Sequence, residues 1–271
     1  MARVVFWSPE TNMTGNTHVA VAVATVMGIA HKTSCLIMNG HFNSRKIETS
    51  YTPYDDLKNS GALDSSNIGI GALVRLVVSN KLTSDSIKNY AKPVLKERLD
   101  VLYGINSKDV DQYNQMSNNL QYVTRKADEV YDLVFIDLPK TNHERYVLDT
   151  LADSDIIVCI VNQDVLKLDE FFEQVANNEI LKNKNKIFVI GDYEAKSKYK
   201  VANIKNKYKI REPIYTVPHN YLFSDACNDG NVIDFFYRNI NAEPKDYNGN
   251  FIYESLNIAE RILELAKIKD M

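Results

Sequence analysis

Seven short apolar runs, at residues 4–7, 34–38, 99–103, 133–136, 156–161, 186–190 and 214–217, alternate with helix-length stretches along the chain. These runs are rich in Val, Ile and Leu and lack the in-out polar alternation of a strand wetted on one face. They therefore read as strands covered on both sides, which is the signature of a mostly parallel sheet with helices above and below. The fold class expected is a doubly wound α/β sheet of seven or eight strands. Ligands in such sheets bind beyond the carboxyl ends of the strands. That rule gathers the loops after Trp7, Met38, Ile136, Ile190 and Val217 around one site.

With 271 residues and 45% hydrophobic content, the chain can bury a large core, and no linker rich in Gly, Pro or Ser divides it. One domain over residues 1–271 is expected. A net charge of -3 offers no general attraction to nucleic acid. Three cysteines, Cys35, Cys159 and Cys227, lie in or beside apolar segments without metal-ligand spacing, as buried thiols of a reducing cytoplasm do. The N-terminus carries no export pattern, and no window approaches the roughly 18 consecutive apolar residues of a membrane span. A cytoplasmic protein is expected, reaching the inner face of the cell membrane only through a partner.

Between the second and third runs lies a long insert, residues 43–98. Ile70, Leu73, Val74, Leu76 and Val77 are spaced as one helical face, and Thr83, Ser84 and Asp85 read as a helix cap. A helical subdomain is expected there, either covering the sheet or meeting a partner. The stretch 251–268 places Leu256, Ile258, Ala259, Ile262, Leu263, Leu265 and Ala266 on a helix. Its Glu254, Glu260 and Glu264 oppose anionic lipid, so packing on the core is expected rather than membrane contact.

Chemistry concentrates at two places. The first run leads into Ser-Pro-Glu-Thr-Asn-Met-Thr-Gly-Asn-Thr at 8–17 and then into an Ala/Val-rich helix pattern, a strand-loop-helix frame that seats phosphate on a helix N-terminus. A Walker A loop, G-x-x-x-x-G-K-[ST], requires Lys for the β/γ-phosphates and a hydroxyl for Mg²⁺; Gly15 and Thr17 are present, but Asn16 occupies the Lys position. The second place is Tyr-Asp-Leu-Val-Phe-Ile-Asp-Leu-Pro at 131–139, an apolar strand ending in Asp137 and followed by Pro139, the Walker B arrangement for Mg²⁺.

Together with the run Ala-Asp-Ser-Asp-Ile-Ile-Val-Cys-Ile-Val at 152–161 and the Thr-Val-Pro-His-Asn turn at 216–220, this order resembles the deviant-Walker ATPases of the ParA/MinD group. The likeness covers nearly the whole chain. Segments 72–76, 81–90 and 231–239 are most similar to the pilus-associated TadZ/CpaE-like members, atypical ATPases that help place Flp-type pilus or secretion machinery. The resemblance implies a homodimer, ATP with Mg²⁺ as cofactors, phosphate contacts from Thr14, Gly15, Asn16, Thr17 and His18, and Mg²⁺ held by Thr17 and Asp137. It places Asp137, Pro139 and Lys140 in Walker B, and Asp192, Tyr193, Pro218, His219 and Asn220 beside the base.

The departures from that family point to lost catalysis. Its loop reads K-G-G-x-G-K-T, whereas Thr11 and Asn16 stand at the two Lys positions here, and Asn12 and Met13 at two Gly positions where side chains crowd the approach to phosphate. The Asp that orients water after the second strand is missing from Met38-Asn39-Gly40-His41. One absent charge in phosphoryl transfer costs about 10³ to 10⁵ in rate, so hydrolysis is expected to be negligible and nucleotide affinity weak or nil. His18 at a helix N-terminus is expected neutral, which leaves Lys140 as the candidate substitute cation.

The function expected is a degenerate, dimeric ATPase-like scaffold that positions pilus or secretion machinery. A slow partner-activated ATPase and a DNA-partition protein are the alternatives. The basic residues Lys182, Lys184, Lys186 and those of 196–209 would serve the last, although such runs are usually a solvated face.

Overall fold

The computed structural model describes residues 1–9, 14–42, 44–61, 68–105, 110–139 and 144–268. Eight strands form one sheet: β1 (Ala2–Trp7), β2 (Cys35–Asn39), β3 (Lys92–Leu95), β4 (Leu99–Leu102), β5 (Leu133–Asp137), β6 (Ile156–Val161), β7 (Asn185–Tyr193) and β8 (Ile214–Pro218). Their order across the sheet is β3-β4-β2-β5-β1-β6-β7-β8. Every pairing is parallel except β3 with β4. The doubly wound α/β expectation therefore holds, and all seven apolar runs are strands. The central ones are buried along their whole length because helices cover both faces.

The eighth strand corrects the reading of the insert as wholly helical. Lys-Pro-Val-Leu at β3 turns back through Glu97, whose φ is 60°, to pair with β4 as an antiparallel edge. Proline and exposed lysine weaken a strand signal in sequence, but they suit an edge, where one side of the strand need not donate and charge discourages further pairing. The rest of the insert is helical: α2 (Lys46–Tyr51), α3 (Tyr54–Asn59), α4 (Gly69–Val78) and α5 (Ser84–Tyr90). Thr83 caps α5 in a reciprocal capping box with Ser86.

The insert covers both faces instead of standing apart. Ile47 of α2 and Leu57 of α3 join one core with α1 (Asn16–Ala30). Ile70, Leu73 and Val74 of α4 join the opposite core with Leu36 and Met38 of β2 and with Met116 and Leu120 of α6 (Val110–Asp128). The remaining helices are α7 (Arg145–Asp153), α8 (Val165–Asn177), α9 (Glu179–Asn183), α10 (Val201–Tyr208), α11 (Tyr221–Asp229), α12 (Val232–Asn239) and α13 (Tyr247–Ala266).

Helix α1 explains its own Ala/Val composition. Every residue from Val19 to Gly28 is buried, because the sheet lies beneath it and α13 crosses it on the outer side. A helix enclosed on all sides has no polar stripe, and small side chains let its neighbours approach closely. The apolar face of α13, with Phe251, Ile252, Ile258, Ile262 and Leu263, is buried in that same core, as expected for a packed helix. All three cysteines are buried free thiols. Burial pushes Cys159 and Cys227 up to about 12, so neither is a nucleophile near neutral pH. Among the described residues no helix is long and apolar enough to cross a membrane.

Candidate functional site

The parallel register brings the carboxyl ends of the central strands into line. Phe6 of β1 and Asn39 of β2 both pair with Asp137 of β5. Beyond that edge opens a cavity of about 340 Å³, within the range of small-molecule sites. Gly15, Asn16, Thr17 and His18 line one end; Val217, Pro218, Phe223 and Phe251 line the other. Loops after β1, β2, β7 and β8 all border it, and Asp137 at the end of β5 lies directly behind its floor.

Close backbone packing fixes Thr14 and Gly15, just before α1. Gly15 has φ 72°, a left-handed conformation that glycine adopts without steric cost, and it hands the chain into α1. Gly191 of β7 lies so near the Thr14 carbonyl that a Cβ there would come within 2.1 Å of the oxygen. The helix N-terminus opens toward the cavity with no acidic residue in its first turn, an arrangement that favours an anion.

Asp137 is the hub of the floor. Its Oδ1 accepts a 2.6 Å hydrogen bond from Asn16 Nδ2, and its Oδ2 accepts one of 2.7 Å from Thr17 Oγ1. His41 Nε2 stands 3.2 Å from the same carboxylate. Asn16 Nδ2 also lies 3.3 Å from the carbonyls of Phe6 and Leu138, and the residue is 1% exposed. The uncharged amide, at the position where the family resemblance expects a lysine, is therefore folded inward onto Asp137. Asn16 Oδ1 and Thr14 Oγ1 are buried and make no hydrogen bond with a described residue.

The loop after β2 is organised around another buried acid. Glu48 of α2 is fully buried and accepts from Gly104 N at 2.7 Å, from Asn39 Nδ2 at 3.1 Å and from Arg45 NH1 at 3.2 Å. Burial pushes its carboxyl above the usual range, while the Arg45 guanidinium and the Gly104 N–H oppose that shift. Asn39, at the strand end where the family resemblance expects a water-orienting Asp nearby, spends its Oδ1 on His41 N at 2.9 Å. It is a structural tie for the loop.

At the far end of the cavity, His219 Nδ1 lies 2.6 Å from Asp192 Oδ1, and both side chains are more than half exposed. Asp192 has φ 51°, so the turn holds a non-glycine residue in the left-handed region. Asn220 proves to be the cap of α11: its Oδ1 accepts from Phe223 N at 2.9 Å and its Nδ2 donates to Asn248 at 3.0 Å. Although it borders the cavity, its polar atoms already have partners.

His18 stacks edge-on to Phe223 at 5.8 Å. Burial, and then the nearby Lys46 charge, lower its pKa from the ordinary value. A neutral imidazole follows at pH 7, as the sequence implied.

The structure thus brings together Gly15, Asn16, Thr17, His18, Asp192, Pro218, His219 and Asn220 on one cavity. Thr14 is buried beneath it. Tyr193 sits elsewhere: it pairs with Pro218 in the β7–β8 ladder and packs against the opposite core. Pro139 is half-buried and does not border the cavity, and Lys140, like Thr11, Asn12 and Met13, lies outside the described residues. Sequence reasoning missed His41, Ser44, Lys46, Phe223, Ser224 and Phe251. Only the first three had a usable signal, their position just after a strand on the carboxyl edge.

The donors present fit a hydrated Mg²⁺ completed by phosphate. Thr17 Oγ1 and Asp137 are adjacent hard oxygens, and Mg²⁺ takes one or two such protein ligands plus substrate oxygens and water. No group of three or more His, Cys, Asp or Glu able to hold a metal occurs among the described residues. The basic run fits DNA less well. Lys182 pairs with Glu179 at 3.1 Å, Lys207 with Asp169 at 2.8 Å, and Lys184 Nζ donates to the Ser154 carbonyl at 2.7 Å.

No protein-family model matches the chain. No curated protein sequence matches it. Solved structures do match. A ParA family ATPase from Chlorobium tepidum TLS has a TM-score of 0.70 at 10% identity, covering 95% of this chain and 98% of that one. The septum site-determining protein MinD of Pyrococcus horikoshii OT3, solved with Mg-ADP, has a TM-score of 0.70 at 14% identity over 99% and 100% of the two chains. A putative plasmid partition protein of Borrelia burgdorferi B31, bound to AMPPNP, has a TM-score of 0.65 at 15% identity over 97% and 98%. At such identities the likeness is one of fold, and the fold is that of the ParA/MinD P-loop ATPases.

Proposed function

We propose that the chain is a nucleotide-binding scaffold of the ParA/MinD fold whose unaided hydrolysis of ATP is negligible. Asn16 carries this reading: where a phosphate-binding ammonium is required stands a neutral, buried amide, hydrogen-bonded to Asp137 at 2.6 Å. Binding is supported by the cavity, by the open N-terminus of α1 and by the two oxygens suited to Mg²⁺. Mg²⁺, when bound by Thr17 and Asp137, would neutralise charge on the β- and γ-phosphates. The chain's own part is to hold the polyphosphate against α1 and the nucleoside against Pro218, Phe223 and Phe251.

Catalysis lacks its chemical means. Positioned cations and an oriented water supply nearly all of the rate in phosphoryl transfer, and Asn39 is already tied to Glu48 and His41. The sequence segments 72–76, 81–90 and 231–239, which fall on α4, α5 and α12, support pilus or secretion machinery as the partner of a homodimer. Titration with a fluorescent ATP analogue and Mg²⁺, run beside a phosphate-release assay, tests the proposal. Saturable binding without turnover above background is expected. Brisk cleavage by the isolated protein, or no saturable signal at millimolar ligand, rejects it.

A further inference from the structure

With Asn16 turned onto Asp137, a polyphosphate site needs its positive charge from elsewhere in the molecule. We propose that Lys46, the first residue of α2, is the phosphate-binding cation of this cavity, delivered by the loop after β2 in place of the loop before α1. The proposal rests on the nucleotide-site reading and names the group that makes it work.

Lys46 borders the same cavity as Gly15, Asn16, Thr17 and His18. Among the described residues, the other basic side chains around that cavity have other engagements. His41 faces Asp137 at 3.2 Å, His219 faces Asp192 at 2.6 Å, and His18 lies against the Phe223 ring. Lys46 is exposed and forms no ion pair with a described residue. Its neighbour Arg45 takes the structural role instead, with NH1 3.2 Å from Glu48 Oε1 and 3.0 Å from the Gly104 carbonyl. Two adjacent basic residues thus divide the work: one is spent on a buried acid and the other is left facing the cavity.

The backbone beneath Lys46 is fixed. Ile47 and Glu48 are fully buried, and Ser50 Oγ donates to the Lys46 carbonyl at 2.6 Å. Asn39 ties Glu48 to the end of β2, while Gly40 N donates to the Asp137 carbonyl at 2.9 Å. A Cβ on Gly40 would lie 2.8 Å from that same oxygen, so the loop is pressed onto the Walker B strand. A flexible four-carbon stem on a rigid base lets the ammonium meet whichever phosphate oxygens the α1 N-terminus leaves free. An ammonium acts there as a point charge, the part Lys plays in phosphate loops generally.

The test compares wild type, Lys46→Ala, Lys46→Arg and a remote control, Lys205→Ala, by calorimetric titration with Mg-ATP, inorganic tripolyphosphate and adenosine. Lys46→Ala is expected to weaken ATP and tripolyphosphate by about 10- to 100-fold, the worth of a charge-assisted hydrogen bond, and to leave adenosine unchanged. Lys46→Arg should keep most of the affinity, and the control all of it. Equal ATP binding by wild type and Lys46→Ala overturns the role of Lys46 while the nucleotide site stands. Lys46-dependent binding of tripolyphosphate, with ATP no tighter, keeps the cation and removes the nucleoside. No binding of either polyanion by wild type overturns both.

Discussion

The two ends of the cavity are built on opposite plans. At the end beside α1 the polar side chains converge on two buried acids: Asn16 and Thr17 donate to Asp137, and Asn39 and Arg45 donate to Glu48, while Asn16 Oδ1 and Thr14 Oγ1 make no hydrogen bond with a described residue. At the far end, Asp192 and His219 pair in the open, over a buried wall of Phe223 and Phe251. The contrast is between an end closed by buried side-chain hydrogen bonds and an end whose charged pair stays in solvent. At the closed end the backbone also fits tightly, with Gly191 against Thr14 and Gly40 against Asp137, and these contacts do not depend on charge.

The strongest test of that contrast is Glu48→Ala. Removing one partner of a buried ion pair leaves Arg45 and the Gly104 N–H without their acceptor, and urea unfolding should show a loss of about 3–5 kcal/mol. If the loss is below about 1 kcal/mol, the loop after β2 is not held by this acid. Asp137→Ala should cost less, about 1–3 kcal/mol, because the Asn16 amide retains weaker carbonyl contacts. The same variant should abolish any dependence of nucleotide binding on Mg²⁺.

Asn16→Lys sharpens the comparison in the other direction. If the cavity takes a polyphosphate as proposed, a lysine there adds a charge beside the start of α1, and ATP affinity should rise by about tenfold or more, measured by the same calorimetry. An unchanged or weaker affinity would mean that a lysine at this position pairs with Asp137 and never reaches the ligand.

His18 supplies a pH readout. Its folded pKa lies below the unfolded value near 6.5 because burial and Lys46 disfavour the charged form. The unfolded chain therefore binds the proton more readily between those two values. Stability should rise with pH through that window and lose this contribution on acidification. Histidine NMR should find His18 titrating below 6.5, and a midpoint above that would contradict its buried setting. The smallest effect is expected at the open end: His219→Ala should shift stability by no more than about 0.5 kcal/mol in thermal unfolding, since exposed pairs contribute little.

Much of this was legible in the chain itself. Seven runs of apolar residues are seven strands, and the carboxyl-edge rule points to the edge where the cavity opens, because both depend on local pattern and on the general geometry of parallel sheets. The enclosed α1 could be read from its Ala/Val composition. Strand β3 could not, since Lys92 and Pro93 suit an edge only once β4 is there to pair with. Nor could the direction of Asn16: its partner Asp137 is 121 residues away in sequence, and only the register of β1 against β5 brings the two together. Asn220 borders the cavity while capping α11, and Tyr193 turns to the opposite core; both placements follow from packing that sequence order does not show. Composition and periodicity decide which faces are buried, and so the fold. Which polar atoms meet across the finished sheet edge, including Lys46 beside the start of α1, is decided by tertiary packing alone, because hydrogen bonds act over about 3 Å and sequence separation says nothing of distance at that scale.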